Sequence, residues 1–478
     1  MAGDGAGTRI EHDLLGPVAV PAAALYGAHG RRAADNFFLA GRPTHPALVR
    51  AMGAVKGAAL RTNRELGAWD GDPDKADAMA RACAELADGR LDGAVVVDAL
   101  QGGAGTSLNL AVCEVLANRT LVLMGLEPGR YDRVDPIDDL NRHQSTNDVF
   151  PTALRLAAIR GVRALDRELV ALQESFQAAE RRFADVVKVG RTQLQDAVLT
   201  TVGRSMGTYA EAFNRDRWRV YKCEERLRVV NLGGTAIGTG LAAPRRYIFR
   251  VVDVLREDTG IGFARAENLV EATANADVFA EVSGILKACA TSLWKTASDL
   301  RLLASGPDAG LGELRLPARQ AGSSIMPGKV NPVIPEAVTQ AAMRVIANDV
   351  AVTTACASGS LELNPFLPLV ADALLDSLDL LARACDALRR LCVDGIEVDA
   401  ARCRAHVEGA TATATALIPA LGYAGAAEVV AAARTTGRTV REVAVGEGRL
   451  TAEAFDALVS PEAVRRLGSP DVPGGGGR

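Results

Sequence analysis

Aromatic residues are scarce in this chain. Phe, Tyr and Trp together make up 4% of its 478 residues, so the core has to be built from Leu, Val and Ala, and small side chains permit close helix packing. Histidine is scarcer still, with five in all. There is no H-E-x-x-H run and no His/Cys cluster, which argues against a protein-held zinc site. The eight cysteines, at 83, 113, 223, 289, 356, 385, 392 and 403, include no C-x-x-C pair. They are expected to be buried, reduced thiols rather than a disulfide framework. No run of 18 apolar residues and no signal-peptide pattern is present, so the expectation is a cytoplasmic protein without a membrane partner. Neither sign of charge dominates: 54 Lys and Arg face 58 Asp and Glu, a net charge of −4. Nothing in that balance calls for a nucleic acid.

What the chain has in abundance is helical periodicity. Beyond Pro151, the residues Leu154, Ala158, Val162, Leu165, Leu169, Leu172, Phe176, Ala179 and Phe183 follow one another by fours and threes. Such a seam, about thirty residues long, makes a helix of about 45 Å. A second seam runs through Leu367, Val370, Leu374, Leu378, Leu381, Cys385, Leu388 and Cys392. Long helices are also expected over 199–229, 274–304 and 333–356. The fold class read from this is mainly α, an elongated five-helix bundle flanked by two small helical domains, with boundaries at 1–146, 147–398 and 399–478. Apolar faces this long are too broad for one bundle to cover, so self-association is the physical expectation. The first part carries helices over about 47–67 and 74–88. A further helix opens at Thr106-Ser107 behind the glycine-rich stretch Gln101–Gly105. After 400 the pattern gives short helices over 398–419, 425–435, 438–447 and 451–458. Residues 1–8 and 473–478 read as flexible ends.

One stretch reads as a working loop: Gly322-Ser323-Ser324-Ile325-Met326-Pro327-Gly328-Lys329-Val330-Asn331-Pro332. Glycines at 322 and 328 open backbone conformations closed to other residues, and Pro327 and Pro332 break helices. Two hydroxyls, one cation and one amide in such a loop suit an anionic ligand. Elsewhere Thr106, Ser107, Ser145, Thr146, Asn147, Thr192 and Gln193 supply neutral donors. Taken singly, each of these is an ordinary helix cap or turn residue.

The loop resembles the GSSxMPxKxNP signature of the aspartase/fumarase superfamily at every motif position. The likeness extends, in the family's order, to Gln101–Ser107, Gln144–Asp148, Gly190–Asp196, Asn231–Leu241 and Ser298–Gly310, and covers most of residues 9–460. It is closest to the branch that eliminates ammonia from L-aspartate to give fumarate. The resemblance implies a homotetramer with a twenty-helix core, each site shared between subunits and holding a small dicarboxylate. It makes Ser323 the general base, assisted by Ser324. Lys329, Asn331 and Thr192 would hold the α-carboxylate, and Thr106, Ser145, Thr146 and Ser324 the β-carboxylate, with Ser107 in the same block. Asn147 and Gln193 would lie near the amino group, and Gly322 and Gly328 would act as hinges. No cofactor is implied, although some family members are activated by Mg²⁺.

Gln193 stands where fumarases carry a histidine that could pair with a glutamate at the position of Glu336. An amide cannot titrate, which disfavours hydration chemistry. The same block argues against the argininosuccinate and adenylosuccinate branches, and retention of Ser323, Lys329 and Asn331 argues against a non-catalytic relative. The chain departs from the family at Gly30, Ala111, Cys113, Asp139, His143, Ala242 and Ala243, among other positions. An N-substituted or otherwise modified aspartate is therefore the alternative substrate.

Overall fold

The computed structural model describes residues 7–468. Of the expected flexible ends, 1–6 and 473–478 lie outside that range. Thr8 does not belong to such an end: it opens a β-strand, Thr8–Asp13, paired antiparallel with Gly16–Pro21. Helices dominate. Five of them are long: Thr146–Arg182, Val202–Leu227, Asp277–Leu303, Val333–Ala357 and Leu367–Leu391. They lie on the predicted stretches.

The chain divides into two compact units. The first gathers Met1–Asp166, Trp218–Ala290 and Met343–Ala382. Its helices start where the sequence supplies caps. Asp72 accepts the Lys75 N–H at 3.2 Å ahead of Pro73, and His45 Nδ1 accepts the Ala47 N–H at 3.2 Å ahead of Pro46. Proline at the first helical position loses no bond, because that N–H has no partner within the helix. The helices Pro46–Glu65 and Pro73–Ala87 meet over Leu48, Met52, Val55, Met79 and Leu86, all buried. Gly53 permits the approach, since a Cβ there would lie 2.6 Å from the Ala87 nitrogen. A helix absent from the sequence reading spans Arg245–Thr259, starting after Pro244 and stopped by Gly260 at φ 65°. Proline before and a left-handed glycine after are the signals that could have found it.

Pro151 does not precede the first long helix, as the sequence reading has it, but lies inside it. A proline there cannot donate to the carbonyl four residues back. That carbonyl, Asn147 O, instead accepts from Asn231 Nδ2 at 2.9 Å. Asn231, fully buried, also donates to Thr273 Oγ1 at 2.9 Å. A side chain 84 residues away in sequence thus supplies the missing bond.

The second unit gathers Arg167–Arg217, Thr291–Ala342 and Arg383–Arg478. It contains the hairpin Val187–Thr192/Gln195–Thr201 and the short antiparallel pair Leu314–Arg315/Glu397–Val398. Its C-terminal helices, Ala400–Gly409, Ile418–Thr436, Val440–Gly446 and Ala452–Leu458, close over Leu417, Val429, Val443 and Phe455. Thr439 and Glu442 form a reciprocal capping box, and Thr451 accepts the Ala454 N–H at 3.1 Å. Thr411–Thr436 is the one segment among the described residues long and apolar enough to cross a membrane. It is kinked at Gly422 and packs Ala426, Val429 and Ala433 into the small core of this unit.

All eight cysteines are free thiols, seven of them buried and Cys356 half-buried. Burial pushes Cys83 and Cys223 up to about 12, so they stay protonated. Trp218, Tyr221 and Val350 stand exposed on the long helices of the single chain.

Replacing Asn231 tests the proline compensation. Asn231→Ala removes two buried hydrogen bonds and leaves a carbonyl unsatisfied, an expected loss of about 2–4 kcal/mol. Adding Pro151→Ala restores a donor to that carbonyl and should recover about 1 kcal/mol, read as a partial return of the thermal midpoint.

Candidate active site

In the first unit the glycine-rich stretch turns through three successive left-handed residues, Gly103 at φ 76°, Ala104 at 57° and Gly105 at 93°. A Cβ on Gly105 would lie 2.3 Å from the Phe150 ring. The turn delivers Thr106 as the first residue of the helix Thr106–Leu123, where unpaired N–H groups favour an anion. Gln101 locks the turn by accepting the Leu108 N–H at 2.8 Å. Thr106 is exposed and Ser107 half-buried.

Ser145, Thr146 and Asn147 sit at a second helix start. Ser145 Oγ accepts the Asn147 N–H at 3.3 Å, so the capping role is real. Its own hydroxyl proton is still available to a carboxylate. Thr146 is buried, and its Oγ1 accepts from Asn109 Nδ2 at 3.1 Å. Asn147 Nδ2 donates to Ala236 O at 2.7 Å, which leaves the side-chain oxygen to act as an acceptor for a cationic group.

Asp148 organises this cluster, and the sequence reading passed over it. Its Oδ1 accepts the Ser145 N–H at 2.9 Å, and its Oδ2 accepts the N–H groups of Gly233 and Thr235, each at 3.0 Å. One carboxylate therefore joins the helix start to the Asn231–Leu241 loop, in which Thr235 is itself held at φ 57°. The signal available was the S-x-x-D spacing of a capping box; the bonds to the distant loop leave no local trace. Burial pushes the Asp148 carboxyl up to about 6, against the three N–H bonds and the charge of Lys56.

The second unit holds the rest of the predicted set. Thr192 and Gln193 are not at a helix end, where the neutral donors were expected, but at the tip of the hairpin. Gln193 and Leu194, its two turn residues, both have positive φ, 54° and 61°. Paired left-handed residues match the twist of a two-residue hairpin, a position that usually selects Asn or Gly. Thr192 and Gln193 are both exposed.

In the Gly322–Pro332 loop, Gly322 N–H donates to Lys329 O at 2.8 Å and Asn331 Nδ2 donates to Gly322 O at 2.6 Å, closing the loop on itself. Gly328 has φ 81°, a glycine conformation. Gly322 is needed for space instead, since a Cβ would lie 2.7 Å from Asn331 N and Lys329 O. Ser323 Oγ accepts two backbone N–H groups, Met326 at 2.8 Å and Ile325 at 3.1 Å. Two donors aimed at one hydroxyl oxygen favour its anion. Ser324 and Lys329 are exposed, and Lys329 has no carboxylate partner among the described residues. Glu336, in the first turn of the following helix, lies 3.6 Å from Arg301.

Several departures from the family turn out to be framework positions. Ala111 and Cys113 are fully buried. Asp139 pairs with Lys75 at 2.6 Å and accepts from Trp69 Nε1 at 2.7 Å, while His143 Nδ1 meets Asn63 Oδ1 at 2.7 Å. Ala242 occupies a left-handed turn at φ 72°. Among the described residues no three His, Cys, Asp or Glu side chains gather as metal ligands. A cleft of about 650 Å³ in the second unit, lined by Val187, Arg404, Arg441 and Phe455 among others, includes none of these groups.

Comparison with known proteins settles the kinship. Residues 16–347 match the lyase family model, and 414–465 match that of the fumarase C C-terminus. The chain belongs to the aspartase/fumarase superfamily. It is 46% identical to the aspartate ammonia-lyase of Pseudomonas canavaninivorans over 95% of this chain and 96% of that one. The aspartate ammonia-lyase of Bacillus subtilis is 39% identical over 96% of each. Among solved structures, the fumarate lyase:delta crystallin of Brucella melitensis bound to cobalt superposes with a TM-score of 0.91 at 46% identity, covering 96% of this chain and all of that one. The class II fumarase of Schistosoma mansoni gives 0.88 at 31% identity, over 96% of this chain and 99% of that one. As a member of this superfamily, the chain is an enzyme of the lyase class.

Asp148 should leave a mark on the pH profile. Its carboxylate accepts all three N–H groups only when ionised, above about 6. Turnover is expected to fall below that pH, with the Asp148 limb absent in Asp148→Asn. An amide can accept through only one of its two side-chain atoms, so at pH 8 the variant should lose about ten- to hundredfold in kcat/KM. The test is kcat/KM measured between pH 5 and pH 9.

Proposed function

We propose that the chain is an aspartate ammonia-lyase, which eliminates ammonia reversibly from L-aspartate to give fumarate. The observation that carries the reading is Ser323: a hydroxyl held by two backbone N–H groups, in a loop whose one cation, Lys329, has no carboxylate partner among the described residues. The 46% identity to aspartate ammonia-lyases along nearly the whole chain supports it.

Ser323 takes the proton from C3 of aspartate. The electron pair moves into the adjacent carboxylate, which becomes an enediolate, and then returns to form the C2–C3 double bond as the C2–N bond breaks. Loss of a barely acidic proton is feasible only if the charge arriving on that carboxylate meets donors already in place. Thr106, Ser145, Thr146 and Ser324 are those donors. Thr192, Lys329 and Asn331 hold the other carboxylate, and Asn147 and Gln193 attend the amine. Ser323 has no histidine or lysine base beside it, so its activation rests on the Ile325 and Met326 N–H groups and on Lys329.

The donors are divided between the two units, Thr106 and 145–147 on one, Thr192 and the Gly322–Pro332 loop on the other. In the assembly we propose, a homotetramer with a twenty-helix core, each site draws these groups from different subunits. The exposed Trp218, Tyr221 and Val350 on the long helices support burial between copies. The division into segments 1–146, 147–398 and 399–478 belongs to the same proposal, as does a cytoplasmic location.

Fumarate's conjugated double bond absorbs in the ultraviolet, so adding L-aspartate to the purified protein, with L-malate in parallel, tests the reaction. Absorbance should grow with aspartate alone. Growth with malate alone would make the chain a hydratase, and silence with both would point to a modified aspartate. Shared sites are tested by remixing Ser323→Ala, expected to be inactive, with Thr192→Ala, expected to be impaired. Mixed tetramers should recover part of the activity, and no recovery would place each site within one chain.

A further inference from the structure

Glu313 is fully buried and faces three basic side chains. Its Oε1 lies 2.8 Å from Arg191 Nη2 and 3.0 Å from His406 Nδ1, and its Oε2 lies 3.3 Å from Lys188 Nζ. Burial would raise its carboxyl, but the Arg191 hydrogen bond and the Lys188 charge hold it below the usual carboxylate range. The charge is therefore present at neutral pH.

The partners come from distinct elements of the second unit. Lys188 and Arg191 lie on the first strand of the Val187–Thr192/Gln195–Thr201 hairpin, and Arg191 immediately precedes Thr192. The strand pair is irregular there: its register shifts between Val189 and Arg191, and Gly190 lies where a Cβ would be 2.6 Å from Val198 O. Beyond the shift come the left-handed Gln193 and Leu194, so the tip has little regular ladder of its own to fix it. His406 lies on the helix Ala400–Gly409. The Glu313 backbone is fixed as well, its N–H donating to Leu303 O at 2.9 Å and its carbonyl accepting the Asp399 N–H at 3.0 Å. Nine residues after Glu313 the chain enters the Gly322–Pro332 loop.

We propose that Glu313 is a positioning residue for the reaction: through Arg191 and Lys188 it aims the hairpin tip that presents Thr192 and Gln193, from the same stretch of chain that leads into the loop of Ser323. This rests on the reading, given above, that Thr192 and Gln193 bind substrate. A buried carboxylate is suited to the task because the planar guanidinium of Arg191 turns one donor, Nη2, to Glu313 and another, Nη1, to Val189 O at 3.4 Å, which fixes direction as well as distance. Losing its charge leaves the buried Lys188 without its carboxylate and the half-buried Arg191 with only Asp196, at 3.8 Å.

The experiment is Glu313→Gln in the full-length protein, made alone and together with Thr192→Ala. The expected results are a normal oligomer, amide hydrogen exchange in 187–201 faster by about tenfold or more, and unchanged exchange in the 106–123 helix. With L-aspartate, kcat/KM should fall about tenfold, chiefly through KM, but by less than about threefold in the Thr192→Ala background, because the effect travels through that hairpin. An equal factor in both backgrounds would overturn the proposal and leave the role of Thr192 standing, and so would unchanged exchange in 187–201. Thr192→Ala with wild-type kinetics would overturn both the hairpin's substrate role and the proposal. If Glu313→Gln does not fold, Arg191→Lys keeps the charge but loses the guanidinium fork, and must show the same pattern for the proposal to hold.

Discussion

The polar loops of this chain hang on buried carboxylates. Asp148 gathers the N–H groups of Ser145, Gly233 and Thr235. Glu114 does the same for Gly27, His29 and Gly30 at 2.7–2.9 Å, seating the helix Ala28–Asn36. Glu313 gathers side-chain cations instead. With aromatics at 4% of the chain, few large side chains are available to wedge a loop in place. A carboxylate accepts several donors at once, and a fully satisfied buried network both rigidifies a loop and specifies its path. The same low-polarity surroundings make any unpaired member costly. Burial pushes the carboxyls of Asp148 and Glu114 upward, which measures what the N–H bonds work against.

The groups we propose to hold the substrate are mostly neutral. Thr106, Ser145, Thr146, Thr192 and Asn331 carry no charge, and Lys329 is the single cation of the signature loop. A dicarboxylate held by neutral dipoles can accept further negative charge without first breaking ion pairs, and dipoles fixed beforehand need not reorganise as that charge arrives. The two N–H groups on Ser323 Oγ belong to the same design. They favour the anion of a group that is otherwise a poor base.

The long helices were legible because periodicity is local: the seam that begins at Leu154 lies within Thr146–Arg182 except for its last residue, Phe183. The signature loop was legible because its glycines and prolines are local constraints too. What escaped was carried by distance in sequence. Pro151 reads as the point where the helix begins until Asn231 is seen to bond Asn147 O. Asp148 reads as one more polar residue in a cap until its partners at 233 and 235 are known. Thr192 and Gln193 read as donors at a helix end, and the hairpin that carries them depends on a two-residue turn without glycine, which pattern rules do not anticipate. Ala111 and Cys113 drew attention as departures from the family, yet their burial makes them part of the packing.

The central claim is that Ser323 moves the C3 proton. It is tested most directly by running the reaction backward, from fumarate and ammonium in deuterated water, and following the label at C3 of the aspartate formed. The account predicts a single deuterium, delivered to one face, with the wild-type protein, and essentially none with Ser323→Ala of normal assembly. Deuterium entering C3 at the wild-type rate in Ser323→Ala would contradict it and assign the proton to another group.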